Sequence, residues 1–440
     1  MKSSTFQTVL VIVFIVGTLA AVLIFSGFIK FGGAQTTSIS GTVSVWGTLP
    51  RAAFTDFFSN FNQANPNLKV SYEEKSSLTF NQDVVEALAS GVGPDVVLIP
   101  QELLYKYKDK AFVVPFTSYT AGQIKTNFVR EAELLITNDG ILGFPVAVDP
   151  LVLFYNRNLF DRAGIAVPPK TWEDIKTIVP NLTIVDRGTF TLTQSAIALG
   201  EFDNITHAKE ILSALFMQAG STITVPALNS YVSTLSDQST NAYSTYSALD
   251  FYTSFVNPSN PLYTWNKGQQ SSQQMFLLGK VAMYVGRASE LFEIQQKNPN
   301  FDFDVMTLPQ MGDGSVNATY GEMTSAVVLK ATKNVPAAYY VAAYLSGSDA
   351  QKILSANLSL PSPRRDLLAI KPPQGYAQTF YASALLARGW IDPLPDKTNA
   401  IFRDMISAVN SGRESIDRAL TDANEQIKVL FPVGSVDANQ

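Results

Sequence analysis

The chain of 440 residues contains no cysteine and a single histidine. Without cysteine it can form no disulfide, no thiolate metal site and no cysteine nucleophile. His207 stands in a polar stretch, and because metal sites usually recruit several imidazoles, we expect a surface position for it and no metal site. Charged residues make up only 16% of the chain, with a net charge of −5 and no long basic run. A nucleic-acid partner is therefore not expected, since phosphate binding needs clustered Lys and Arg.

The longest apolar run, residues 9–29, carries no charged residue. At 1.5 Å of rise per residue it forms about 30 Å of helix, enough to cross a bilayer. The run is longer than the apolar region of a usual signal peptide, so we predict an uncleaved transmembrane anchor. Residues 1–8 would then be cytoplasmic and residues 30–40 a linker. Cleavage stays open as the alternative, because small residues follow at 32–34, and in both cases the body is exported.

Strand and helix patterns alternate from Gly41 onward. Val43 and Val45 share one face of a first strand, four phenylalanines at residues 54–61 have helical spacing, and residues 96–99 are entirely apolar. A continuous apolar strand is typical of a sheet covered on both faces, and the alternation predicts a parallel sheet. The length predicts two domains. The second half, from about Asp149, is richer in helix, and one long helix is predicted over residues 400–430.

Five segments together resemble the ABC-transporter solute-binding proteins, the family that includes the maltose-binding protein. The resemblance covers Gly41 to about Phe431 and is most specific at residues 142–175, where an apolar strand precedes YN, a short helix, PP and TW. The five segments are GTVSVWG with the helix and NPNLKV turn after it (41–70), SGVGPDVVLIP (90–100), LGFPVAVDPLVLFYNRNLFDRAGIAVPPKTWEDI (142–175), QMFLLGKVAMYVG (274–286) and NSGRESIDRALTDANEQI (410–427).

The resemblance implies a fold, its division into lobes and a function. The expected fold is α/β, a two-lobed periplasmic-binding-protein type II fold with a hinge and a central ligand cleft, preceded by one N-terminal transmembrane helix. Residues 41–148 and 305–348 would form lobe 1, residues 149–304 and 349–432 lobe 2, and residues 433–440 a tail. The expected function is capture of a carbohydrate and its delivery to an ABC permease with its ATPase. We expect a monomer without cofactor, held at the cell membrane by a single span.

A sugar site needs planar hydrogen-bonding groups for hydroxyls and aromatic faces for the ring. By resemblance, Asp149 matches a sugar-contacting carboxylate of the maltose-binding protein, residues 101–102 match another ligand-contacting segment, and Trp390 lies where the family often has a stacking aromatic. Trp172 and Tyr155 are interpreted as structural. The candidate ligand-binding residues are Trp46, Thr48, Ser77 with its neighbour Ser76, Gln101, Glu102, Asp149, Trp265, Arg287, Glu322 and Trp390.

One departure from the family leaves the ligand open. The segment that matches the family's tryptophan-bearing helix between the lobes reads TNAIFRDM, with Asn399 and no tryptophan, so the identity of the sugar does not carry over. A polyamine, peptide or oxyanion bound by the same fold is the main alternative. An enzyme acting on glycans is a further one, although no sequence context signals its two catalytic carboxylates. The third is an adhesive surface protein, which would not close on any small molecule.

Overall fold

The computed structural model describes residues 39–431 except 187, 190, 228–229, 237–241, 313–315, 371 and 373–374. The predicted anchor, residues 9–29, and the tail, residues 433–440, lie outside the described residues. Within the described part of the chain, no helix is both long enough and apolar enough to cross a membrane.

Ten strands form one sheet in the order β2-β1-β3-β11-β4-β9-β6-β5, with β10 added to β4 and β12 added to β11, while β7 and β8 form a separate hairpin. The strands are β1 (Gly41–Gly47), β2 (Leu68–Glu74), β3 (Val96–Pro100), β4 (Phe144–Asn156), β5 (Ile184–Val185), β6 (Leu192–Ile197), β7 (Thr224–Ala227), β8 (Ser230–Ser233), β9 (Val281–Arg287), β10 (Phe303–Thr307), β11 (Thr319–Val328) and β12 (Ala387–Arg388).

Helices cover the faces of this sheet. They are α1 (Ala52–Ala64), α2 (Phe80–Ala89), α3 (Leu104–Tyr107), α4 (Ala121–Asn127), α5 (Arg157–Arg162), α6 (Trp172–Leu182), α7 (Ala208–Gln218), α8 (Ala242–Ser254), α9 (Ser272–Leu277), α10 (Glu290–Lys297), α11 (Val335–Leu345), α12 (Ser348–Leu358), α13 (Arg365–Leu368), α14 (Tyr376–Leu386), α15 (Pro395–Asn410) and α16 (Ile416–Lys428). Two 3₁₀ turns, Gln101–Leu103 and Arg130–Leu135, follow β3 and α4.

The first half of the sheet follows the predicted alternation. β1 pairs in parallel with β2 and β3, so the carboxyl ends of the three strands lie at one edge of the sheet. The phenylalanines of α1 are buried, as their spacing predicts, and the apolar strand β3 is buried at residues 96–99. Strands and helices in this succession give the parallel arrangement expected of crossover connections.

β4 joins the two halves of the sheet. Residues 144–150 pair with β11, whereas residues 151–156 pair with β9 and β10. The chain therefore passes from the first half of the sheet to the second within one strand. The two-lobed α/β fold that the sequence predicted is confirmed, its sheet is curled, and β4 and β11 lie where the two halves meet.

Two sequence interpretations near the chain's second half have different outcomes. Trp172 is structural, as interpreted: it is buried, and its indole N–H donates to Oε1 of Gln218 at 2.6 Å. The single helix predicted over residues 400–430 is wrong. α15 ends at Asn410 and α16 begins at Ile416, because Gly412 adopts a left-handed conformation with φ of 69° that a helix cannot continue.

Candidate ligand site

Charged side chains from both halves of the sheet meet beside β4 and β11. Asp149 of β4 lies directly opposite Glu322 of β11 in the antiparallel register. Arg287 ends β9, and its guanidinium forms an ion pair with Glu322 and lies 3.6 Å from Oε1 of Glu210 in α7. Glu102 follows β3 and lies within electrostatic range of Glu210 and Glu322. We call these five residues the cleft cluster.

The cleft cluster combines ionised groups with acids whose pKa values are raised towards neutral pH. Burial and the charge of Glu322 raise the pKa of Glu102 to about 7. Burial also raises the pKa of Asp149 to about 6, although Arg287 and the backbone N–H of Ser289, 3.0 Å from Oδ1, oppose the rise. Neutral and charged carboxyls together can donate and accept hydrogen bonds, which suits a ligand rich in hydroxyl groups.

Two further members of the cleft cluster, Arg287 and Glu210, stay charged. Burial would disfavour the charge of Arg287, but Glu322 and Glu210 raise its pKa. Burial would likewise raise the pKa of Glu210, but His207 and Arg287 hold it below its usual value. Because Glu210 lies in α7 and Glu322 on the crossing strand β11, the guanidinium of Arg287 links the second half of the sheet to the junction of the two halves.

Lys209 and Asp392 form a buried ion pair next to the cleft cluster. The Nζ of Lys209 lies 3.0 Å from Oδ2 of Asp392, and each side chain is only 3% exposed. The hydroxyl of Thr398 donates to the same Oδ2 at 2.7 Å. A buried lysine paired in this way is neutralised by its partner, so it adds little net charge to the site.

His207 is a half-buried residue with a partner, so the surface position predicted for it is wrong. Its Nε2 lies 2.5 Å from Oε1 of Glu290, and its backbone is left-handed with φ of 63°. Burial alone would raise the pKa of Glu290. Hydrogen bonds with His207, with the Arg287 backbone N–H and with the Tyr284 hydroxyl instead lower this pKa to about 2. This interaction fixes the start of α7 next to the end of β9.

Glu131 is a buried acid that sequence reasoning missed. It is 1% exposed, and among the residues that the structure describes neither carboxyl oxygen has a hydrogen-bond partner. The carboxyl packs so closely on Gly321 that a Cβ at that position would overlap it. Burial, followed by the charge of Glu322, raises the pKa of Glu131 to about 8, although the nearby backbone N–H of Met323 opposes the rise. The crossing strand β11 therefore has the carboxyl of Glu131 on one side and that of Glu322 on the other.

Trp390 is buried, and it borders a cavity of about 470 Å³ together with Glu131. The Trp390 indole N–H donates to Oγ of Ser213 at 3.2 Å, and the ring stacks on Phe402 with centroids 6.1 Å apart. At 4% exposure its ring presents no open face. Neighbouring residues of a strand point to opposite sides, so Gly321 and Glu322 face opposite sides of β11. The cavity lies on the side that Gly321 faces. Stacking of Trp390 on a sugar stays a prediction.

Trp265 lies inside the second half of the molecule, which contradicts its proposed contact with a ligand. It is completely buried, and its indole N–H donates to Oδ1 of Asn204 at 3.0 Å. The polar sequence around it indicated a surface loop, but the loop folds back over the apolar ring. Tyr155, interpreted as core, is half-buried, with its hydroxyl 3.4 Å from Asp304.

Trp46 and Thr48 lie at the carboxyl end of β1 and are half-buried. The Trp46 ring carries the ammonium of Lys75 at 3.8 Å from its centroid, a cation–π contact. Ser76 and Ser77 follow β2 and are exposed. These positions lie at the strand edge where α/β proteins bind ligands, and their contact with a ligand stays a prediction.

Gln101 has a structural role in this conformation. It is 1% exposed, and its Nε2 donates to the Gly321 carbonyl at 3.0 Å. The structure therefore brings together Glu102, Asp149, Arg287 and Glu322 from the predicted set.

No direct signal in the sequence points to three neighbours of these residues, Glu131, Glu210 and Asp392. Lys209 and Glu210 stand at the head of an otherwise apolar helix, and this is the one pattern that could have indicated a buried charged pair. Among the described residues, no group of three or more His, Cys, Asp or Glu side chains has the arrangement needed to hold a metal ion.

A two-lobed α/β fold with polar groups from both halves beside the crossing strands defines the class of solute-binding proteins. The chain belongs to the family of bacterial extracellular solute-binding proteins, whose model matches residues 46–352. This family consists of binding proteins rather than enzymes, and its extracellular character indicates an extracytoplasmic body.

Known relatives agree with this membership. A Brucella abortus (strain 2308) protein described as a binding protein is 22% identical over 323 residues, which is 72% of this chain and 74% of its own length. The cyclic alpha-maltosyl-1,6-maltose binding protein of Arthrobacter globiformis has a TM-score of 0.71 at 16% identity, covering 89% of this chain and 99% of its own. The Listeria monocytogenes ABC substrate-binding protein in complex with cycloalternan has a TM-score of 0.64 at 19% identity, covering 88% and 98%. At these identities the structural likeness shows the fold.

Proposed function

We propose that the protein binds a carbohydrate between its two lobes and delivers it to an ABC permease with an associated ATPase. The observation that carries the proposal is the cleft cluster, in which groups from both halves of the sheet converge at the crossing strands. A ligand that contacts both halves stabilises their closed arrangement by its differential affinity for that state. Carboxylates and a guanidinium are the planar groups that recognise sugar hydroxyls.

The named ligands of similar structures support a saccharide. The Arthrobacter globiformis protein is named for binding cyclic alpha-maltosyl-1,6-maltose, and the Listeria monocytogenes protein is in complex with cycloalternan. A third similar structure, with a TM-score of 0.71 at 15% identity, is a cyclo/maltodextrin-binding protein complexed with maltotetraose. It covers 91% of this chain and 98% of its own. We extend the saccharide class, and no particular sugar, to this chain.

We also propose how the chain is divided and held. Residues 41–148 and residues 149–304 form the first parts of lobe 1 and lobe 2, joined by β4. We place the return to lobe 1 in β11 rather than at residue 305, because β10 pairs with residues 152–156 of β4 on the side of lobe 2. Lobe 1 then continues to residue 348, and residues 349–432 complete lobe 2. Residues 9–29 hold the body at the outer side of the cell membrane as a single span, in keeping with their length and lack of charge. A tethered monomer stays close to its permease without a lipid anchor.

Titration calorimetry of the purified protein with a panel of mono- and oligosaccharides tests this function. Asp149→Ala is expected to weaken binding by about ten-fold or more, since it removes a half-buried hydrogen-bonding group. Asp304→Ala is the matched control. Asp304 pairs with Arg157 and lies opposite Tyr155, six residues further along β4, or about 20 Å away. It should leave the affinity unchanged.

Small-angle scattering provides the second measurement. The radius of gyration is expected to fall when a bound sugar closes the lobes. Binding of no saccharide in the panel, or binding with an unchanged radius of gyration, contradicts the proposal.

A further inference from the structure

The cavity beside Trp390 is a second place where a small molecule fits. Its volume of about 470 Å³ lies within the range of roughly 300–1,000 Å³ that is usual for small-molecule sites. Among the described residues, its lining includes no member of the cleft cluster, and it lies on the side of β11 that Gly321 faces. Its apolar lining consists of Leu134, Met217, Ile223, Val316 and Trp390.

Two arginines line this cavity, which we call the arginine cavity. Arg130 begins the 3₁₀ turn Arg130–Leu135, and Arg388 ends β12, which pairs in parallel with β11. The turn and β12 contact each other and β11, so the backbone holds both arginines at this cavity. In the part of the chain that the structure describes, neither guanidinium has a hydrogen bond or an ion pair.

The two arginines also act on each other electrostatically. Burial, and then the charge of Arg130, lower the pKa of Arg388, whereas the charge of Glu133 opposes this change. The Oε2 of Glu133 lies 4.0 Å from Nζ of Lys125, so this carboxylate already has a cation beside it. Two like charges at one cavity repel each other, and a bound anion would offset that repulsion.

Ser221 is an independent sign of a ligand in the arginine cavity. It lines the cavity and is only 5% exposed, and within the described ranges its Oγ has no hydrogen-bond partner. Its backbone is fixed, because its N–H donates to the Phe216 carbonyl at 2.9 Å after the left-handed Gly220. A buried hydroxyl without a partner is costly, and a ligand atom that accepts its proton removes the cost.

Glu131 adds a further polar group to the lining. Because burial raises its pKa to about 8, the carboxyl is protonated at neutral pH and can donate a hydrogen bond. The nearby end of α7 adds few competing acceptors, since the carbonyls of residues 215–217 accept the N–H groups of residues 219–221. Two guanidiniums, one hydroxyl and one protonated carboxyl are thus available as donors, so the matching ligand is rich in acceptors.

We propose that the arginine cavity binds a small organic anion, whose carboxylate or phosphate group is recognised by Arg130, Arg388 and Ser221. Both groups accept several hydrogen bonds at once, and the planar guanidinium matches their geometry. The apolar lining holds the rest of the molecule. This site goes beyond the proposed function and does not depend on it, because it includes no residue of the cleft cluster.

Calorimetry on the whole protein at pH 7 with two matched pairs of probes tests this proposal. Benzoate and benzamide have nearly the same shape and differ in charge, and glycerol 3-phosphate adds a phosphate ester to glycerol. At least one of the two anions is expected to bind at a single site, about ten-fold or more tightly than its neutral partner. Its affinity should fall as salt is raised, because salt screens charge. Binding of benzoate alone assigns a carboxylate ligand, and binding of glycerol 3-phosphate alone assigns a phosphate ester.

Arg388→Gln removes one charge from the cavity and is expected to weaken binding of that anion by about ten-fold or more. Arg388→Lys keeps the charge and should lose less. Arg130→Gln is a second variant at an exposed position and should also weaken binding. Arg418→Gln is the matched control, because it changes the net charge equally but lies on α16, where Arg418 pairs with Asp422. It should leave the affinity unchanged.

Thermal unfolding gives a second readout. Without the anion, the Tm of each variant shows whether it is folded, and the anion should raise the Tm of the wild type and of Arg418→Gln more than that of Arg388→Gln. Absence of saturable binding by both anions overturns the proposal, and so does equal affinity within both pairs. Equal losses of affinity for Arg388→Gln and Arg418→Gln would also overturn it, because net charge would then drive binding. None of these outcomes bears on the proposed function, since no saccharide is used.

Discussion

Replacing Glu131 by glutamine is expected to stabilise the protein increasingly as the pH rises. The folded state holds this carboxyl with a pKa of about 8, well above the ordinary value of 4.5 for a glutamate side chain. A group whose pKa is raised on folding binds its proton more tightly in the folded state. The wild-type protein therefore loses stability between pH 4.5 and 8, where the unfolded chain is ionised and the folded chain must keep the proton.

The magnitude follows from linkage. Each pH unit in that window costs about 1.4 kcal/mol, so the difference between wild type and Glu131→Gln approaches roughly 5 kcal/mol at pH 8. Below pH 4.5 both states carry the proton, and the two proteins should differ by a constant amount. Glutamine has nearly the same shape as the protonated acid, so the packing on Gly321 is kept.

Urea unfolding of both proteins at half-unit steps from pH 4 to 9 measures this difference. Glu133→Gln is the control, since Glu133 lies in the same 3₁₀ turn with 40% of its side chain exposed. Its difference from wild type should stay flat with pH. A flat difference for Glu131→Gln as well would refute the reasoning, because the carboxyl would then have a partner or solvent in the folded state.

Two further predictions concern buried polar contacts. Lys209→Met should destabilise the protein by about 3–5 kcal/mol in urea unfolding, because Asp392 is left buried and unpaired. The double variant Lys209→Met with Asp392→Leu should recover most of the lost stability, because no charge is then left unpaired. If it does not, the loss is not caused by the unpaired charge of Asp392. Trp265→Phe should cost about 1–3 kcal/mol, because the half-buried Asn204 loses the indole N–H that its Oδ1 accepts. Trp265→Phe should leave the ligand affinity measured by calorimetry unchanged. A ten-fold loss of affinity would show that Trp265 contacts the ligand after all.

The fold was predictable because each element depends on local patterns. The phenylalanines of α1 and the continuous apolar strand β3 show their burial through spacing alone. Thr171 caps α6 by accepting the N–H of Asp174, as its position before acidic residues indicates. The break between α15 and α16 was missed although Gly412 is a local helix-end signal: its backbone is left-handed, and the N–H of Arg413 donates to the Ala408 carbonyl behind it.

The candidate site was only partly predictable, because its members are far apart in sequence. Arg287 ends the recognisable strand β9, and Asp149 lies within β4, next to the point where its pairing passes from β11 to β9. Glu131 and Glu210 have no such context, since their roles depend on β11 and β9 coming next to them. For Trp265 the prediction failed in the other direction. The polar sequence around it indicated an exposed loop, but tertiary packing buries its side chain completely.

Stability and ligand binding make opposite demands on the crossing strands. Only 16% of the chain is charged, yet Asp149 and Glu322 face each other at the junction of the two halves, with Glu131 buried alongside. Replacing such groups by neutral ones usually stabilises a protein, because burying charge costs more than packing apolar atoms. A fold selected for stability alone would place apolar residues at this junction. Under the function proposed above, these acids are kept at the junction because they contact a ligand when the two lobes close.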